Sequence, residues 1–116
     1  MDIRTTRLND NVIIVVEGLR SSSKAVTAVL ALKVVDRLVQ ALRRQFPLYQ
    51  VSRSKIHIHD EYSVVMVRQQ HAPVQPVNRA NTETRQIDEF AQGKLAEILA
   101  DELRRIIRRQ VERGRS

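Results

Sequence analysis

Five consecutive β-branched residues, Val12-Ile13-Ile14-Val15-Val16, constrain this chain most. A run of that length and composition is a strand. It is apolar at odd and even positions alike, so it is expected to be a central strand covered on both sides. Gly18 ends it. A chain of 116 residues is one domain's worth of polypeptide, so this strand has to organise a single core.

The flanking segments supply the rest of a sheet. Ile3 to Leu8 reads as a short strand, joined to the central one through Asn9-Asp10-Asn11, residues that tolerate the left-handed region and bond their own backbone. Tyr49 to His59 alternates through Tyr49, Val51, Ile56 and Ile58. Asp60-Glu61 turns, and Ser63 to Gln69 returns through Val64, Val65, Met66 and Val67, so the pair reads as a β-hairpin.

Two segments carry a helical period. From Lys24 to Gln45, Ala28, Ala31, Val35, Leu38 or Val39, Leu42 and Phe46 recur at three-and-four spacing. Ser21-Ser22-Ser23 offers candidate N-caps, and Pro47 stops the helix. Between Ala25 and Val35 only Thr27 and Lys33 are polar, so this half is apolar nearly all round. Such a helix needs cover on more than one side, which assigns Val26, Val29, Leu30, Leu32 and Val34 to a contact between subunits. The last helix is expected to start near Asn81 or Thr82. Ile87, Ala91, Leu95, Leu99, Leu103 and Ile106 form its stripe, with Phe90, Ile98, Ile107 and Val111 beside it, and Gly114 is its natural stop. Gly93 weakens it by about 1 kcal/mol relative to alanine. Residues 70–82, with Pro73 and Pro76 and no periodicity, read as a long loop.

The predicted architecture is α+β: a small, mostly antiparallel sheet of about four strands with two long helices packed on it, in a single domain over residues 1–116.

Composition removes several classes of function. There is no cysteine, hence no disulfide, Cys-ligated zinc, iron–sulfur cluster or thiol nucleophile. No apolar run approaches the ~18 residues of a membrane span, so no membrane partner is expected. Met1-Asp2-Ile3-Arg4 is not followed by the apolar region of a signal peptide. The four aromatics, Phe46, Tyr49, Tyr62 and Phe90, are too few for a base-stacking platform.

The formal net charge is +7, and most of it is local. Arg104, Arg105, Arg108, Arg109, Arg113 and Arg115, offset by Glu112, give +5 over the last thirteen residues. Cations at a helix C-terminus complement its dipole, and Asp101 and Glu102 offer partners to Arg105. That explains two or three arginines, not six. The surplus points to phosphates or to an acidic protein surface, with Lys24 as a further contact and Arg20, Arg43 and Arg44 as auxiliaries.

No reactive constellation is complete. Gly18 to Lys24 has the order of a phosphate loop, but Ser23 and Ala25 stand where a glycine and a hydroxyl residue are needed. Ser21 and Lys24 have Ser-x-x-Lys spacing without companion motifs. His57 and His59 share a strand face, with Asp60 and His71 near in sequence, yet a catalytic zinc site wants three ligands. No enzyme activity, metal or cofactor is expected.

Two resemblances add to this reading. The order of a strand ending in Gly18-Leu19, a helix closed by Phe46-Pro47, a hairpin, a Pro-containing loop and a basic C-terminal helix resembles the small tail-completion or head–tail connector proteins of tailed phages. The resemblance implies a non-enzymatic virion part that forms homo-oligomeric rings with neighbouring assembly proteins. Locally, Val15-Val16-Glu17-Gly18 followed by Ser23-Lys24-Ala25-Val26 resembles the strand-to-helix segment of Alba chromatin proteins, which implies nucleic-acid contact at Lys24. The leading expectation is therefore a homo-oligomeric structural protein, in a virion if phage-encoded and otherwise cytoplasmic. The alternative is a protein that holds nucleic-acid phosphates through its C-terminal arginines.

Overall fold

A computed structural model of the chain describes residues 1–56 and 58–114. The elements run β1 (Asp2–Leu8), β2 (Asn11–Glu17), α1 (Ala28–Gln45), β3 (Tyr49–Arg53), β4 (Glu61–Arg68) and α2 (Val77–Gly114). The sheet has the order β1-β2-β4-β3, with every neighbouring pair antiparallel. The α+β architecture is as the sequence predicts.

β2 is an inner strand, as its β-branched run requires, but only one of its faces is covered. Val12, Ile14 and Val16 lie fully buried, whereas Ile13 and Val15 are half-buried on the opposite face. Both helices pack on the Ile14 side. Thr5, opposite Ile14 in the ladder, donates its hydroxyl to Asp88 of α2 at 2.7 Å, and Arg53, opposite Val64, pairs with Asp36 of α1 at 2.8 Å. Two helices suffice for one layer, and the chain has no third layer for the other face. The core under them joins β2, β4 and β3 to Ala31, Val34, Val35, Leu38 and Leu42 of α1 and to Ile87, Ala91, Leu95 and Ile98 of α2. Phe46 meets Phe90 edge to face with centroids 5.7 Å apart, tying the end of α1 to α2.

Three boundaries and one helix face differ from the sequence reading, each for a local reason. α1 starts at Ala28, not Lys24, because Thr27 is the N-cap and accepts the Leu30 N–H. The serines serve the preceding loop: Ser22 donates to the Leu19 carbonyl and Ser23 accepts from the Ala25 N–H. β3 stops at Arg53, because the Ser54 hydroxyl bonds both the carbonyl and the N–H of Ile56 and so diverts the backbone from the ladder. Ile56 and Ile58 stand exposed in the connection. α2 starts at Val77, which shortens the 70–82 loop to its first half; Pro76 offers its carbonyl to Ala80, a place where proline's missing N–H costs nothing. Thr82 bonds back to the Asn78 carbonyl instead of capping. Finally, the buried side of α2 follows Ile87, Ala91, Leu95, Ile98 and Glu102, so Leu99, Leu103 and Ile106 lie beside the core and only partly inside it.

Candidate functional site

A helix of 38 residues is about 57 Å long at 1.5 Å per residue, and the molecule's longest dimension is 59 Å. α2 therefore spans the whole protein, and its C-terminal end projects past the body. Among the described residues, Glu102 is the last buried one and Ile106 the last half-buried one. Arg104, Arg105, Arg108, Arg109 and Arg113 are all exposed on this end. Arg115 lies outside the described residues.

The arginines divide by what they face. Arg104 reaches Asp101 at 3.9 Å, and Arg105 reaches Asp101 at 3.4 Å and Glu102 at 3.6 Å. The acids are held mainly from α1: Arg37 donates to Asp101 at 2.8 Å and to Glu102 at 2.7 Å, and Lys33 stands 3.4 Å from Glu102. Burial alone would raise the Glu102 carboxyl, but the Arg37 hydrogen bond and Lys33 outweigh it and hold the group below the ordinary glutamate range. Arg108 and Arg109 have no ion pair among the described residues. The projecting end also carries apolar surface. Leu103, Ile107 and Val111, four residues apart, lie on one side of the helix; Ile107 is 59% and Val111 49% exposed.

The predicted subunit contact on α1 is corrected. Val26, Leu30 and Val34 are buried in the chain's own core: Leu30 and Val34, four apart on α1, share the face turned toward the sheet, and Val26 is buried from the loop that precedes the helix. Val29, 77% exposed, and half-buried Leu32 remain accessible. They border an open groove of about 450 Å³ along α1, completed by Lys33, Asp36, Arg37 and Gln40.

The segment resembling a phosphate loop is already occupied by the protein itself. The Asp60 carboxylate accepts the backbone N–H of Arg20 at 2.8 Å and of Ser21 at 2.9 Å, and the Ser21 hydroxyl at 3.1 Å. Partial burial acts to raise its pKa, but these donors and the Arg20 charge prevail and hold it below the ordinary aspartate range. Gly18 makes the turn possible with φ of +80°, and a Cβ there would sit 3.3 Å from the Met1 nitrogen. Ser21 thus faces Asp60, and Lys24 is exposed in the loop, on a different element from the arginines. His59 adopts φ of +54° in the turn before β4; His57 lies outside the described residues. Among the described residues no group of three His, Asp or Glu side chains is placed to hold a metal, and no helix is long and apolar enough to cross a membrane.

Two constellations escaped the sequence reading. One is the Arg37–Asp101–Glu102 clamp. The other sits where β3 meets α2: Tyr49 donates to Glu83 at 2.5 Å and accepts from Arg7 at 3.1 Å, Gln75 donates to Glu83 at 2.7 Å, and the Arg68 guanidinium lies 5.9 Å over the Tyr49 ring. Burial first, then the Glu83 hydrogen bond, raises the Tyr49 hydroxyl. Every polar group here has a partner inside the protein, so the cluster fastens the start of α2 to the sheet.

The open sheet face is the remaining broad surface. Ladder register places Thr6, Ile13, Val65 and Ser52 in one row and Arg4, Val15 and Ser63 in the next. Asp2, Glu17 and Glu61 form an acidic row at one end, where Arg4 pairs with Glu17. No family model, curated protein or solved structure matches this chain.

Proposed function

We propose that this chain is a non-enzymatic structural protein that assembles with copies of itself, serving as a connector or tail component of a virion. The projecting end of α2 carries the reading: beyond half-buried Leu103, Ile107 and Val111 stand exposed on one side of the helix with arginines beside them. Leaving such a stripe in water forfeits roughly 25 cal/mol for each Å² that a partner would cover. The connector role rests on the resemblance in element order. The arginine surplus also suits phosphates, and Arg108 and Arg109, which have no ion pair among the described residues, favour that second reading. Phosphates, however, leave exposed Ile107 and Val111 without a purpose.

Light scattering and native mass spectrometry over a concentration series test the proposal, with and without duplex DNA at two salt concentrations. The expected result is a discrete homo-oligomer that forms without DNA and is lost in an Ile107→Glu/Val111→Glu double variant. A chain that stays monomeric alone and binds DNA with a salt slope of about 0.9 per neutralised phosphate establishes the second reading in its place.

A further inference from the structure

We infer that the open sheet face of one copy receives the C-terminal end of α2 from a second copy. This rests on the assembly reading above and goes further, since it names both surfaces of the contact. The two are complementary in three respects. Ile13, Val15, Val65 and Val67 lie on the uncovered face, with Val67 42% exposed, and offer an apolar strip bounded by polar rows. The helix offers exposed Ile107 and Val111, with half-buried Leu103 at the inner end of the stripe.

The spacings agree. Residues four apart on a helix are separated by about 6 Å along the axis. Residues two apart on a strand are separated by about 6.7 Å. The helix stripe can therefore follow Ile13 to Val15, or Val65 to Val67, without losing step. The segment 104–114 extends about 16 Å, within the reach of a seven-residue strand such as β2 at about 23 Å.

The charges agree as well. The strip ends on Asp2, Glu17 and Glu61, and Asp2 and Glu61 have no ion pair among the described residues. The helix stripe is flanked by Arg104 and Arg108. The α1 groove is a poorer seat for the same segment: Lys33 and Arg37 line it beside Asp36, which is already paired with Arg53. Helix end and sheet face are different surfaces, so the contact is head-to-tail. It closes into a ring or extends into a filament according to the rotation per copy.

The natural chain has no cysteine, so engineered thiols report the contact without background. Val65→Cys and Ile107→Cys are made as separate single variants, oxidised alone and as a mixture. The expected result is a disulfide-linked dimer in the mixture and little in either variant alone. A second pair of variants reads the charge. Arg104→Glu/Arg108→Glu is expected to weaken association about tenfold, the scale of two or three exposed ion pairs, and mixing it with Asp2→Lys/Glu61→Lys is expected to restore association. An oligomer in which Ile107→Cys links only to itself, or Val65→Cys only to itself, overturns this contact and leaves the assembly reading standing. A monomer at every concentration, with no cross-link in any mixture, overturns both.

Discussion

Glu102 shows how one side chain can join two helices. It is 3% exposed and meets Lys33 and Arg37 of α1 and Arg105 of its own helix. Its pKa is lowered in the folded protein, so its charge contributes stability above the unfolded glutamate value, about 4.3, and that contribution disappears as pH falls through the folded value. Asp60 and Asp101 are lowered too and act in the same sense. Glu102→Gln keeps the shape and removes the charge. It is expected to cost about 1–2 kcal/mol at pH 7, less than a fully buried pair because Arg37 keeps Asp101 and some water. Urea unfolding at pH 7 and pH 3 checks this: the gap between the two proteins should shrink at pH 3, below the ordinary glutamate value, where the unfolded wild-type chain binds a proton at Glu102 and the advantage of the folded charge declines. A gap of equal size at both pH values would assign the loss to packing alone.

Element boundaries follow from single hydrogen bonds more than from propensity. Any of Ser21, Ser22, Ser23 and Thr27 has the chemistry of a cap, and only Thr27 reaches an orphan N–H of α1. Thr27→Ala is expected to cost about 1 kcal/mol, whereas Ser23→Ala should stay within about 0.5 kcal/mol. On α2, Gly93 is exposed with open space around the missing Cβ, so Gly93→Ala should gain up to about 1 kcal/mol. Urea midpoints at constant slope read all three. The first turns of α2, residues 77–86, are polar apart from Val77 and Ala80. They lack the apolar period that marks the later turns, which is why the sequence places the helix start near Asn81 or Thr82.

At the scale of the whole molecule, the protein is more extended than its length requires. A compact chain of this mass has about 6,500 Å² of accessible surface and a radius of gyration near 13 Å; the observed values are 7894 Å² and 16.1 Å. The 38-residue α2, about as long as the 59 Å long axis, carries this elongation. Removing residues 107–116 is therefore expected to leave the thermal midpoint nearly unchanged, since Ile106 is the last residue packed against the core, and to abolish self-association. A truncated chain that unfolds would place the segment in the fold instead; one that still assembles would remove it from the contact.

The sequence by itself determined the class of the fold. β-branched runs, three-and-four repeats and Pro47 are local signals, and they yield four strands, two helices and the basic C-terminal end directly. Tertiary structure decided how those elements use their surfaces. Both faces of Val12–Val16 are apolar, and nothing along the chain says which is covered; that depends on both helices sharing one layer. Val26, Leu30 and Val34 look like a subunit contact until the core claims them. Asp60 on the Ser21 loop, Arg37 on Glu102 and Tyr49 on Glu83 join residues 39, 65 and 34 positions apart. Pairs at that separation leave no periodic trace in the chain, because they exist only once packing has brought distant backbone together.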